Sequence, residues 1–480
     1  MTQNLHLLLP EFLLATLAFV VLAADLLLPP ERKHLLGWAS IAGLAGLLAL
    51  SLALLWGRNE LLYGGLFHVD SYYLFFRAFF ILVGIVVILS SLEFAKAHLS
   101  HPGEYYAIIL FSILGMGAMA AAGELLTAYI SLELLSFSLY ILVSFATGDA
   151  RSNEAGVKYI IIGAFSSAIL LYGLSLVYTG LGTTRFAEIN AALAAANGAS
   201  PTVWIGLSLV LVGLGFKMAA VPFHMWAPDV YEGAPLPITA YLSVASKGAA
   251  FALALRLFAE AFMPAIGDWR AIVAVLAAIT MTVGNLVAIP QKNIKRLLAY
   301  SSISQVGYLL VGLAALSAQT SSGLMLHLAG YAFTNLAAFG VVIAFYNHTG
   351  KEEIADYAGL ADRHPFMAAA LTMALFSLAG LPFFAGFLTK FYLFAGAARE
   401  GFLWLAGLAV FNSLISLYYY LMVIKQMYIV PAEDGSKVKV SPVMLGVVAV
   451  MVLGVIFVGV YPRPLLDAID AATRAILPVL

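Results

Sequence analysis

Four ionisable side chains stand deep inside apolar runs of this sequence: Glu133 in ELLTAYISLELLSFSLY, Lys217 in LVGLGFKMAAVPF, Lys247 in TAYLSVASKGAAFAL and Lys390 in FFAGFLTKFYLF. In hydrocarbon each costs roughly 2.5–3.5 kcal/mol on insertion scales, so each needs a partner, a water-filled cavity or a task. None can snorkel easily from such depth. A small or hydroxylic residue lies one helical turn from each, Ser136, Gly213, Ser243 and Gly386 respectively, and makes room for water. Pro222 removes the helical hydrogen bond to the Met218 carbonyl beside Lys217, and Pro382 does the same to Leu378 ahead of Lys390. Broken helix next to buried charge suits proton exchange along a chain of amines and a carboxylate. The plainer reading of Glu133 and Lys217 is a static salt bridge that fixes helix packing. Lys247 and Lys390 weigh against it, because a single carboxylate leaves them with no evident counter-ion and free to exchange protons.

Other candidates are weaker. His327 and Tyr331 share a helical face and could extend the relay, although a lone membrane histidine is as often a packing hydrogen-bonder. Lys158, at the start of its helix, is a further possible relay group. Arg77, in FFRAFFILVG, is expected near a helix end, satisfied by snorkelling. Asp229 and Glu232, in PFHMWAPDVYEGAPLP, read as a loop-packing motif.

The elements that must hold these residues follow from hydropathy. With 63% hydrophobic residues, 10% charged and a mean hydropathy of +0.98, the chain has too little polar surface for a water-soluble globule. The expected fold is an all-α integral membrane protein of about fourteen transmembrane helices, from a retained first span near 5–28 to a last one near 441–461. The run near 366–397 is too long for one straight span, and Pro382 should make it discontinuous. Two stretches, 184–197 and 462–480, look amphipathic and suited to the membrane interface. Lys and Arg are concentrated in the loops after odd-numbered spans, among them Arg32, Lys96, Arg151, Lys292, Lys351 and Lys437. That bias predicts a cytoplasmic position for those loops and both termini outside.

Several function classes are excluded. A net charge of -1 offers no basic surface for nucleic acid. The absence of cysteine removes disulfides, thiolate zinc sites and iron–sulfur ligation from this chain. No phosphate loop, dinucleotide fingerprint, nucleophile elbow or metal-spaced histidine cluster is present in the context such sites require.

Sliding the chain on itself by about 170 positions shows a repeat. Ala128, Tyr129 and Ser131 meet Ala299, Tyr300 and Ser302; Ala164, Phe165 and Ser166 meet Ala332, Phe333 and Thr334; Gly213, Leu214 and Phe216 meet Gly380, Leu381 and Phe383. Two five-helix units follow, helices 4–8 and 9–13, inverted because five is odd. The chain then divides, as one polytopic domain over 1–480, into 1–103 (helices 1–3), 104–260 (first repeat), 269–429 (second repeat) and 441–480 (last helix and interfacial tail).

Four stretches, Gly103 to Tyr140, GFKMAAVPFHMWAPDVYEGAP, SKGAAF and NIKRLLAYSSISQVGYLLVG, resemble the antiporter-like, proton-translocating membrane subunits of bacterial NADH-quinone oxidoreductase, complex I. The resemblance covers nearly the whole chain. It implies two inverted five-helix repeats, discontinuous helices 7 and 12, and a central polar axis. By matching motifs, Glu133 resembles the family's helix 5 glutamate, Lys217 its helix 7 lysine, Lys247 its helix 8 relay lysine and Lys390 its helix 12 exit residue. It further implies membrane and peripheral partner subunits within lipid, a place in the bacterial inner membrane, and NADH, FMN, iron–sulfur clusters and quinone on or between those partners rather than on this chain. Subunits of multi-subunit sodium/proton antiporters, membrane-bound hydrogenases and other quinone-linked dehydrogenases share the core motifs and are the alternative. Gln305 stands where many relatives have His, and Leu236 where many have Thr, which puts a relay step through position 305 in question.

Overall fold

Short polar side chains close the first turns of the apolar helices, where backbone N–H groups have no partner. Asp70 accepts from the Tyr73 amide at 2.8 Å, Glu124 from the Leu126 and Thr127 amides, and Ser317 forms a capping box with Thr320. The computed structural model describes residues 4–99, 101–196, 198–432 and 435–477. Residue 197 and residues 478–480, the ends of the two amphipathic stretches, lie outside the described residues, as do residues 1–3.

Three helices come first: α1 (Leu9–Leu27), α2 (Leu35–Leu55) and α3 (Ser71–His98). An antiparallel hairpin of β1 (Glu60–Leu62) and β2 (Phe67–Val69) precedes α3. The first repeat comprises α4 (Pro102–Ala121), α5 (Leu125–Val143), α6 (Ala150–Leu181), the surface helix α7 (Phe186–Ala196), α8 (Pro201–Met218) with α9 (Trp226–Gly233), and α10 (Leu236–Tyr241) with α11 (Lys247–Glu260). The second comprises α12 (Ile266–Ala288), α13 (Ile294–Ala314), α14 (Ala318–Thr349), the short α15 (Leu360–Arg363), α16 (Pro365–Ala379) with α17 (Ala385–Arg399), and α18 (Leu403–Tyr428). α19 (Pro442–Val460) and α20 (Arg463–Ile476) follow. Thirteen described helices are long and apolar enough to cross a membrane, and the broken pair α16–α17 makes the fourteenth crossing. Each repeat has five crossings, so the second starts on the face where the first ends and is upside down relative to it.

The two breaks share a backbone design. α8 ends at Ala219 with φ 62°, and α16 ends at Gly380 with φ 89°. In both, the next two amides turn back onto the last turn: Ala219 and Ala220 donate to Phe216 and Gly215, Gly380 and Leu381 to Ser377 and Phe376. Glycine adopts this left-handed conformation at little cost, whereas Ala219 is held in it by its surroundings. The breaks therefore pair Ala219 and Ala220 with Gly380 and Leu381, with Pro222 and Pro382 one position out of step, rather than Gly213 with Gly380 as the sequence spacing suggested. Between α10 and α11 the helix widens into a π turn over Leu242–Ser246, immediately before Lys247. Such turns re-aim the side chains that follow them.

α11, α13 and α14 sit inside the bundle with nearly every residue buried. α6 and α18 turn residues such as Phe165, Tyr172, Phe411 and Leu414 outward, a surface that only lipid or an apolar partner would cover. α20 follows the predicted amphipathic tail but docks on α3 and α14, where Ser322 donates to Asp470 at 2.9 Å. Arg77 corrects an expectation. It is buried in the second turn of α3, paired with Glu11 of α1 and bonded to Ser51 Oγ at 2.8 Å, so it does not snorkel. Two lone opposite charges on neighbouring helices meet because either alone would be stranded.

Candidate functional site

Lys217 is the penultimate residue of α8, next to the break, and only 3% exposed. Its amine donates to Ser136 Oγ and, at 3.4 Å, to the Tyr140 hydroxyl, both on α5. The rings of Tyr140, Tyr159 and Phe216 surround it at 5.2 to 6.0 Å, within cation–π range. Glu133, partly buried on α5, accepts from Ser167 Oγ of α6 at 2.6 Å. It forms no ion pair with Lys217. The direct salt bridge that sequence reasoning weighed is replaced by hydroxyls, with Ser136 serving as acceptor for the lysine one turn from the glutamate.

Lys247 opens α11 directly after the π turn and is 1% exposed. Its amine donates to Ser302 Oγ of α13 at 2.6 Å and stands 5.6 Å from the Tyr231 ring centre. Around it, the hydroxyls of Tyr159, Tyr231, Ser246 and Tyr331 and the Asn335 Oδ1 are buried without a protein partner. Tyr159 faces Ser246, and Tyr231 and Tyr331 face Ser302, without closing direct bonds. Buried polar atoms left open in this way are the positions where ordered water binds.

From Tyr331 the line continues one turn back along α14 to His327. Its Nε2 shares a hydrogen bond with Gln305 Oε1 at 3.2 Å, and its Nδ1 one with Thr389 Oγ1 at 2.9 Å. Gln305 Nε2 then donates to the Leu378 carbonyl at 3.2 Å. Lys390 donates to the same carbonyl at 2.7 Å and to Ser413 Oγ at 3.3 Å, beneath the Tyr308 ring at 4.5 Å. Leu378 is the residue whose carbonyl Pro382 was expected to free. The break thus supplies the acceptor for the amine, and a glutamine bridges the position where histidine was missed.

Buried cations fall into two classes. Arg77 is matched by Glu11, Arg256 by Asp70 at 2.8 Å and Glu260 at 2.9 Å, and Lys295 by Glu352 at 2.8 Å. Lys217, Lys247 and Lys390 have no carboxylate within 4.0 Å among the described residues and rest only on hydroxyls, rings and a carbonyl. A carboxylate partner locks a buried cation in its charged form; a neutral acceptor stabilises it far less and leaves its proton exchangeable. Lys158 belongs with neither class. Its side chain is 42% exposed and pairs with Glu154 and Asp229, apart from the buried line. Sequence reading missed Ser167, Tyr140 and Ser302, since a hydroxyl in an apolar helix carries no mark of which helix it will face.

A family model described as NADH:quinone oxidoreductase/Mrp antiporter, TM, matches residues 122–416. A protein of Moorella thermoacetica named NADH-quinone oxidoreductase subunit N is 44% identical over 477 residues, 99% of this chain and 100% of that one. A protein of the same name from Trichlorobacter lovleyi is 43% identical over 485 residues, 99% of this chain and 98% of that one. A chain of respiratory complex I from Thermus thermophilus with bound aureothin superposes with a TM-score of 0.81 at 32% identity, covering 96% of this chain and 99% of that one. A chain of an archaeal membrane-bound sulfane sulfur reductase superposes at 0.87 and 25% identity, covering 99% and 98%.

Proposed function

Because this chain belongs to the NADH:quinone oxidoreductase/Mrp antiporter transmembrane family, we propose that it is a proton-translocating membrane subunit of a bacterial respiratory NADH:quinone oxidoreductase. The observation that carries the reading is the trio of buried amines, Lys217, Lys247 and Lys390, each held by neutral acceptors. Glu133 biases Lys217 toward its charged form through Ser167, Tyr140 and Ser136. A change imposed by neighbouring subunits weakens that bias, and the proton moves by way of Lys247, Ser302, Tyr331, His327 and Gln305 to Lys390. Release is to the outside, with both termini on that face. Moving one charge against 100 mV costs roughly 2.3 kcal/mol, so the energy comes from redox chemistry on partners that carry NADH, FMN, iron–sulfur clusters and quinone.

Subunits of sodium/proton antiporters share the fold, but identity above 40% along the full chain lies with subunit N of the oxidoreductase. The test is Lys217→Ala and Glu133→Ala in the assembled complex, reconstituted in proteoliposomes with subunit content checked. Either change should suppress proton uptake, and undiminished uptake with either one eliminates the mechanism.

A further inference from the structure

α9 is a separate piece of helix. The break precedes it, and extended backbone at Ala234 follows it. Its inward face reaches the surroundings of two amines at once. Trp226 Nε1 donates to the Phe216 carbonyl at 2.9 Å, one residue before Lys217, and its ring stacks on Tyr159 with centroids 4.5 Å apart. Tyr159 meets Tyr140 edge-on at 4.8 Å, and the Tyr140 hydroxyl accepts from Lys217. Farther along α9, Tyr231 places its ring 5.6 Å from the Lys247 amine.

The outward face is held by charge. Asp229 Oδ2 accepts from Lys158 of α6 at 2.9 Å, and its Oδ1 from Arg296 of α13 at 2.9 Å. Arg296 also reaches Glu232 at 2.7 Å. α13 further carries Ser302, the acceptor for Lys247. These charged side chains are 28 to 42% exposed, so events at the protein face reach them, whereas Lys217 and Lys247 are sealed. Exposed ion pairs hold weakly, so this contact can open without unfolding the bundle.

We propose that α9 is the positioning element of the Lys217–Lys247 step, and that Asp229, bridging Lys158 and Arg296, is the latch that keeps it in register. The proposal rests on the relay described above and adds to it the handle by which a change at the charged face reaches both amines. Asp229 is a positioning residue and touches neither amine.

The test uses the whole complex in proteoliposomes, with proton uptake normalised to assembled subunit and hydrogen exchange followed over residues 219–233. Asp229→Asn should speed amide exchange in 226–233 and slow proton uptake by about fivefold, the factor that matches the upper end of an exposed ion pair. Asp229→Glu should restore both. Slower uptake without faster exchange, faster exchange with normal uptake, no change in either, or no rescue by Asp229→Glu overturns the latch. Lys217→Ala measured alongside separates the two claims. If it stops uptake while Asp229→Asn has no effect, the latch alone falls; if it leaves uptake intact, the relay falls with it.

Discussion

Ser136→Ala tests the most specific feature of the site, the indirect connection between Glu133 and Lys217. The Lys217 amine ends on Ser136 Oγ, and its other polar neighbour in reach is the Tyr140 hydroxyl at 3.4 Å, the long limit of a hydrogen bond. A hydrogen bond to a charged group is worth about 1.5–3 kcal/mol. Its loss at a buried amine with no carboxylate partner would lower the population of charged, correctly placed Lys217 by about ten- to 150-fold, at about 1.4 kcal/mol per factor of ten. Ser136 otherwise bonds back to the Leu132 carbonyl and neighbours the Tyr140 hydroxyl, which keeps Ser167 beside it, so the methyl replacement acts chiefly on the lysine. Proton uptake by proteoliposomes, followed with a pH-sensitive dye at matched complex content, should therefore fall by at least about tenfold while assembly stays normal. If Ser136→Ala pumps at the wild-type rate while Glu133→Ala stops, the carboxylate reaches the lysine by another route and the argument from hydroxyl coupling is wrong.

Arg256→Leu strands Asp70 and Glu260 in the interior and should destabilise the protein by about 3–5 kcal/mol, seen as loss of assembly or a lower melting temperature. Lys247→Met strands no carboxylate, so it should assemble and melt like the wild type yet fail to take up protons; a large fall in melting temperature there would contradict the division of buried cations. Gln305→Leu cuts the bridge between His327 and the Leu378 carbonyl and should slow uptake, whereas Gln305→His should retain it; equal rates for both would remove position 305 from the path. Because the chain has no cysteine, single replacements report orientation directly: Lys437→Cys should react with an impermeant thiol reagent from the cytoplasmic side only, and Asn4→Cys from the opposite side.

The breaks show how legibility divides. Pro222 and Pro382 announce lost hydrogen bonds in a string of letters, because proline's missing N–H is a local property. The left-handed turn at Ala219, the π turn before Lys247 and the correspondence of Ala219 with Gly380 are products of packing, and no residue type marks them. Arg256 and Glu260, four apart in FALALRLFAE, were a visible signal of a buried pair on one helical face; Asp70 and His68, which complete the cluster, come from a distant segment.

Amino-acid sequence by itself determined that the chain lives in lipid, roughly where it crosses, that four ionisable groups are carried inside, and that two crossings are interrupted. Transfer free energies and backbone donors belong to single residues and short runs, so they can be summed along a string. Only the tertiary structure decided that Glu133 and Lys217 do not touch, that Ser302 receives Lys247, that Lys390 shares the Leu378 carbonyl with Gln305, and that Arg77 is tied to Glu11. Hydrogen bonds and ion pairs depend on distances of a few ångströms between helices far apart in the chain, and those distances exist only once the helices have packed.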